Sequence, residues 1–278
     1  MTSTEFSVVV ALCSLVAGFL GAMTGLGGGV VVVPLLALVF KVDIRYAIGA
    51  SLVSVIATSS GAAAAYVREG FSNIRVGMFL EVATTLGAVT GAFLALNTPT
   101  RAIAIVFGCV LLVSAVISNR KRPPLQSDSP PDRLATALKL DGTYPGRNGI
   151  VQYRTRHIPL GFGLMYAAGT LSGLLGIGSG AVKVLAMDEV MQLPFKVSTT
   201  TSNFMIGVTA AASAGLYLSR GYIDPAIAMP VTLGVLGGSL LGAKFLVKAR
   251  TPAIRILFAL VIAALGIEMI YSAFTGRL

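Results

Sequence analysis

Moving the chain along itself by 151 residues lays Gly18, Gly25, Gly27 and Gly29 on Gly169, Gly176, Gly178 and Gly180. The register continues without a gap through Ser51 and Ser202, Thr58 and Thr209, Tyr66 and Tyr217, Gly87 and Gly238, and Phe107 and Phe258. Glycines coincide easily in a chain that has 32 of them, but serine, threonine, tyrosine and phenylalanine matched in one register do not. The chain therefore reads as two copies of one unit, and any fold proposed for one half must also serve the other.

Each copy holds five apolar segments: 6–23, 30–40, 47–67, 76–96 and 102–118, then 158–175, 181–190, 197–218, 226–247 and 253–274. With 55% hydrophobic residues, 12% charged and a mean hydropathy of +0.85, the chain lies outside the soluble globular range. It reads as an all-α polytopic membrane protein. Ten segments of about 20 residues use up most of the chain, which excludes catalysis by an appended soluble domain. The second segment of each half is short. Eleven or ten residues reach only about 15 to 17 Å as a helix, half of a hydrocarbon core about 30 Å thick. Each is either a broken helix or one arm of a re-entrant hairpin. No Lys or Arg precedes the first segment and a glycine-rich loop follows it, so it reads as a retained helix rather than a cleaved signal.

The halves, 1–118 and 158–278, are joined by a polar linker, 119–157, rich in proline and glycine. It carries eight basic residues against Asp128, Asp132 and Asp141, which places it in the cytoplasm. Within it, Asp141-Gly142 and the run 150–153 suggest a small hairpin. Both termini then fall outside the cytoplasm, in a cell's inner membrane. The cytoplasmic connections hold fourteen basic residues and the outer ones five. The net charge of +10 thus follows from membrane orientation, and nucleic acid is not implied. An odd number of crossings per half makes the copies inverted repeats, an architecture common among secondary transporters.

The most informative stretches are Gly-Leu-Gly-Gly-Gly at 25–29 and Gly-Ile-Gly-Ser-Gly at 176–180. Backbone of this kind cannot face lipid, because unpaired N–H and C=O groups there cost several kcal/mol each. Gly25, Gly27, Gly28 and Gly29 with Gly176, Gly178, Ser179 and Gly180 are therefore candidates for a buried anion-binding pair of loops. Gly87, Gly91, Gly238 and Gly242, spaced by four, fit close helix packing instead. Where the third segments begin, Ser51 and Thr201, Ser202 and Asn203 offer hydroxyls and an amide, either to an oxyanion or to helix capping and interhelical bonds. Lys183, three residues after the second loop, is an intramembrane cation suited to an anionic substrate, unless it pairs with Asp188 or Glu189 or snorkels to an interface. Glu81 and Glu268 lack counterparts in the repeat, where Thr232 and Ile117 stand, and are possible proton relays. His157 stands alone, and Cys13 and Cys109 lie in apolar runs. No metal site, disulfide framework, catalytic constellation or cofactor is expected from them.

The doubled signature, Gly-x-x-Gly-x-x-x-Gly-Leu-Gly-Gly-Gly followed by Pro34, then Ser-Gly-Leu-Leu-Gly-Ile-Gly-Ser-Gly followed by Pro194-Phe195-Lys196 and Thr201-Ser202-Asn203, resembles the TauE/SafE sulfite-exporter family. The resemblance covers nearly the whole chain apart from the linker. It implies an inner-membrane permease for sulfite, sulfonates or related small sulfur anions such as thiosulfate; with the inverted repeats and the anion-suited loops, export by alternating access is the expected mechanism, and no enzyme is expected. An anion channel of the same architecture and an ion-coupled uptake permease for an organosulfonate are the alternative readings. Two departures stand out: Ser179 replaces the middle glycine of the second loop, and Leu185 stands where the first half has Pro34. The site is accordingly expected to be asymmetric.

Overall fold

The computed structural model describes residues 3–24, 28–68, 72–118, 132–146, 149–246 and 251–276. Eight long helices of 18 to 25 residues dominate these. In the first half they are α1 (Ser3–Thr24), α3 (Ile44–Arg68), α4 (Ile74–Asn97) and α5 (Thr100–Ser118), with a short α2 (Gly29–Pro34) between α1 and α3. A small α6 (Arg133–Ala137) lies in the linker. The second half has α7 (Ile158–Leu175), a short α8 (Gly180–Leu185), α9 (Phe195–Ser219), α10 (Pro225–Leu246) and α11 (Thr251–Thr275). At 1.5 Å per residue the long helices measure about 27 to 38 Å, enough for a hydrocarbon core. Two of them, Ile74–Asn97 and Ile158–Leu175, are apolar enough over a whole span to cross a bilayer by length and composition alone.

The short segments share one construction. α2 runs directly into a π-helical turn, Leu35–Val39, and α8 into Ala186–Val190. The wide turns close through Phe40 N–H to Leu35 C=O at 3.4 Å and Met191 N–H to Ala186 C=O at 3.0 Å. Pro34 does not cause the widening, since Leu185 stands at its place in the second half and the turn is the same. Each turn is followed by a residue in left-handed conformation, Lys41 (φ 52°) and Gln192 (φ 58°), after which the chain enters α3 or α9. The short segments therefore stay at half a membrane's length, as their residue count requires.

Packing follows the small residues. α1 lies along α10, and α4 along α7; α3 lies against α9, and α5 against α11. A Cβ placed on Gly87, Gly91, Gly169 or Gly173 would come within 2.9 Å of backbone atoms of the facing helix in the α4–α7 pair. Gly18 and Gly238 do the same in the α1–α10 pair. Backbones meet with no side chain between them, which is how helices associate where lipid removes the hydrophobic drive. The opposite face of α4 presents Met78, Val82, Leu86 and Phe93, each more than half exposed, on one stripe. An apolar stripe of that size pointing outward suits hydrocarbon and not water.

The described part of the linker, 132–146 and 149–157, is folded. β1 (Gly142–Gly146) and β2 (Gly149–Tyr153) form an antiparallel hairpin. Asp141-Gly142 lies at its open end rather than at its turn, and Asp141 accepts a hydrogen bond from Thr155 N–H at 2.8 Å. Asn73 fastens the hairpin to the start of α4. Its amide donates to Tyr153 Oη (2.7 Å) and to Leu140 C=O (3.1 Å), while its Oδ1 caps α4 by accepting from Val76 N–H. Ala135, Leu140 and Tyr153 join Val76, Leu80, Met187, Met191 and Met205 in one buried cluster.

Candidate functional site

The described end of the first glycine loop meets the second loop. Gly25 and Gly27 lie outside the described residues. Gly28 and Gly29 open α2, and a Cβ on Gly29 would meet Ser51 Oγ at 2.7 Å and Gly176 C=O at 3.1 Å. Ser51 donates to that same carbonyl at 2.8 Å. The first half's loop, its third segment and the second half's loop are thereby joined at one point. Gly178 abuts Val55 and Ile206, and Ser202 donates to Gly180 C=O at 3.4 Å. Gly176 (φ 67°) and Gly178 (φ 70°) hold left-handed backbone, for which glycine is suited.

Ser179 marks the asymmetry. Its counterpart Gly28 is right-handed (φ −66°), whereas Ser179 is left-handed (φ 44°), a conformation that disfavours a residue with a Cβ. Its hydroxyl is buried and has no hydrogen-bond partner. Beside it lies a cavity of about 10 Å³ lined by Val30, Val110, Ser114, Leu171, Ile177 and Gly180, among others. A buried hydroxyl without a partner is costly, so its retention beside a void points to a ligand or a water.

The charged part of the site begins one helical turn along α8 from Ser179. Lys183 on α8 is fully buried, at 0% exposure, and its Nζ donates to Thr209 Oγ1 on α9 at 2.6 Å. Thr209 in turn donates to Glu81 Oε1 on α4 at 2.7 Å. A hydroxyl has one proton, and the charged carboxylate is a better acceptor than the Met205 carbonyl 2.9 Å away. Thr85 donates to the same Oε1 at 3.2 Å, while Glu81 Oε2 is buried with no partner. Three elements from both halves thus hold an ammonium and a carboxylate, joined by one hydroxyl, near the middle of the bundle.

The remaining expectations divide. Thr201 is engaged elsewhere, accepting from Asn73 N–H at 3.0 Å where the linker docks. Asn203 is half-buried on α9. Glu268 is exposed on α11 and accepts from Ser272 at 3.4 Å, so it is not part of the buried network. His157 begins α7 in left-handed conformation, its Nδ1 3.1 Å from Val190 C=O. Among the described residues no group of three His, Cys, Asp or Glu side chains is placed to hold a metal. Thr209 was not singled out from the sequence. Two signals pointed to it: its match to Thr58 in the repeat, and its place seven residues beyond Ser202, two helical turns along the same face.

The family model described as sulfite exporter TauE/SafE matches residues 10–269. The chain belongs to the TauE/SafE family. It is similar to the Probable membrane transporter protein YunE of Bacillus subtilis, 26% identical over 275 residues that cover 95% of this chain and 97% of the relative. The Probable membrane transporter protein YdhB of the same organism is 27% identical over 239 residues, covering 86% of this chain and 88% of YdhB. The Probable membrane transporter protein MJ0441 of Methanocaldococcus jannaschii is 22% identical over 270 residues, 92% of each chain. No solved structure matches the chain significantly. This TauE/SafE protein is therefore a helical membrane protein of a transporter family, with Lys183, Thr209 and Glu81 buried between its helices.

Proposed function

We propose that this protein moves a small sulfur-containing oxyanion, such as sulfite, a sulfonate or thiosulfate, outward across the cell's inner membrane by alternating access. The observation that carries the reading is Lys183, a cation with no exposed surface, placed next to a glycine loop whose Ser179 hydroxyl is unpartnered. Intramembrane charge is expensive and is kept for function. The helix pairs support the architecture: each helix of 29–118 starts 151 residues before its counterpart, and α1–α10 mirrors α7–α4. Two inverted repeats, 1–118 and 158–278, rocking about the loops would expose the site to each side in turn, with the linker 119–157 cytoplasmic. Gly28, Gly29, Ser51, Gly176, Gly178, Ser179, Gly180 and Ser202 form the walls, with Lys183 as the electrostatic attractor. Asn203 borders the site from α9, whereas Thr201 faces the docked linker at Asn73.

An inside-negative potential of 100 mV drives each unit of negative charge outward with about 2.3 kcal/mol, so export agrees in sign with an anion site. Sulfite binding to purified protein, followed by calorimetry, tests the assignment. Lys183→Ala combined with Ser202→Ala is expected to abolish the heat of binding. Unchanged binding in that variant places the site elsewhere.

A further inference from the structure

Among the described residues, Lys183 Nζ has one hydrogen-bond partner, the Thr209 hydroxyl, which leaves two of its three N–H donors open. Glu81 Oε2 is likewise buried and unpartnered. An ion pair kept only for stability closes its spare donors and acceptors on itself or on neighbours, because each one left open inside is costly. The repeat-related site, on α2 and α3 of the first half and α10 of the second, provides an internal control. At the positions matching Lys183, Thr209 and Glu81 stand Val32, Thr58 and Thr232, and α2, α3 and α10 pack together there without any charge. The helix arrangement therefore does not require the pair: Lys183 of the second half and Glu81 of the first meet at one of the two repeat-related places, and the other carries neither charge.

We propose that Glu81 is a built-in competitor for Lys183, so that each transported oxyanion binds together with one proton on Glu81. This rests on the anion site proposed above and adds its coupling ion. While Glu81 is ionised, its charge reaches Lys183 through Thr209, and an incoming anion would place two negative groups on one buried ammonium. A proton taken up from water on the open side forms an O–H bond on Glu81, neutralises the carboxylate and leaves the two open N–H groups to the oxygens of the anion. After the site turns to the other side, the anion departs, that O–H bond breaks, the proton passes to water, and Glu81 resumes its hold on Lys183 through Thr209. No other bond is made or broken.

Lys183 is the one charged group facing Glu81 among the described residues. Its other polar neighbours are the hydroxyls of Thr84, Thr85 and Thr209. Of the packed helices, α7 contributes only Tyr166, which bonds Thr90 further along, and α9 only Lys196 and Tyr217 near its ends. The direction of transport then depends on the substrate's charge. A dianion with one proton keeps one net negative charge and is still drawn outward by the potential, whereas a monoanion with one proton carries no charge and follows the proton gradient.

Thiosulfate is the probe of choice because its own charge is constant from about pH 5 to about pH 9, so any pH effect belongs to the protein. In the wild type, thiosulfate binding is expected to weaken by about tenfold per pH unit once Glu81 is ionised. In Glu81→Gln it is expected to become independent of pH and tighter than wild type at the alkaline end. In weakly buffered proteoliposomes, thiosulfate entering through the wild type is expected to carry protons in and acidify the lumen, a measurement that does not depend on the variant folding. Wild-type thiosulfate flux with neither pH-dependent binding nor proton movement overturns the coupling and leaves the anion site standing. No thiosulfate binding or flux in wild type or Glu81→Gln at any pH overturns the anion site itself.

Discussion

Removing one member of a buried charge pair exposes its partner, and the repeat shows what removing both should do. Lys183→Val leaves Glu81 buried opposite a hydroxyl alone, and Glu81→Thr leaves the ammonium with no counter-charge, since Thr209 is its one hydrogen-bond partner among the described residues. Breaking such a pair from one side costs about 3 to 5 kcal/mol, whereas replacing both members by well-packed uncharged groups is often neutral. The double variant Lys183→Val with Glu81→Thr copies Val32 and Thr232, the uncharged residues that stand at the repeat-related positions on α2 and α10. Thermal unfolding of the purified protein in detergent, in buffer without substrate anions, reads this directly. At about 2 to 4 °C per kcal/mol for a chain of this order of size, each single variant should lose roughly 10 °C, and the double variant should recover most of it. The coupling between the two sites then amounts to about 3 kcal/mol or more. If the double variant falls as far as the two single losses added together, the charges are not a pair and the reasoning from the repeat is wrong.

Other perturbations reach other parts of the account. Gly173→Val puts a branched side chain where even a Cβ would lie 2.8 Å from Ala88 and Ala92 backbone atoms, so α4 and α7 must separate; overpacking of this kind costs about 1 to 3 kcal/mol or more, visible as lower thermal stability. Ser179→Gly relieves left-handed backbone worth about 1 kcal/mol yet removes the unpartnered hydroxyl, so stability should hold or rise while sulfite affinity, followed by calorimetry, drops. In the linker, burial pushes the Tyr153 phenol above its ordinary value of 10.0, against an opposing hydrogen bond from Asn73. A folded-state value raised in this way means the docked hairpin is at full strength below pH 10.0 and weakens as the pH climbs through the raised value. Protease protection of the linker should therefore fail in strong alkali, and in Tyr153→Phe that alkaline step should disappear.

Much of the fold was legible because lipid leaves few choices. Apolar runs of membrane length became helices, and α2, α3, α4 and α5 each start 151 residues before α8, α9, α10 and α11. The small-residue positions Gly87, Gly91 and Gly238 were read as packing surfaces, and all three face the backbone of a neighbouring helix. The linker was less legible. Its prolines and charges suggested a plain connection with a small hairpin, whereas Asn73, a residue outside the linker, supplies the amide that docks the hairpin onto α4. In the site, Lys183 and Glu81 stood out one by one as intramembrane charges, but 102 positions separate them in sequence. Their joining depends on Thr209, and a threonine in a helix is by itself unremarkable to any pattern. What the repeat did offer was the observation that both charges break the symmetry, Glu81 in the first half and Lys183 in the second, and tertiary packing then brought those two exceptions together. The direction in which Thr201 turns, toward Asn73 rather than the loops, depends on side-chain packing that no spacing rule encodes.

The central claim is that a small oxyanion crosses the membrane past Lys183. Purified protein in liposomes loaded with sulfite, under an imposed inside-negative potential, tests it most directly, with the folded double variant Lys183→Val and Glu81→Thr as the control. The account predicts efflux that saturates with sulfite concentration, is slowed by thiosulfate and collapses in the control. Equal efflux through the control, or none through correctly inserted wild type over a range of pH, would contradict it.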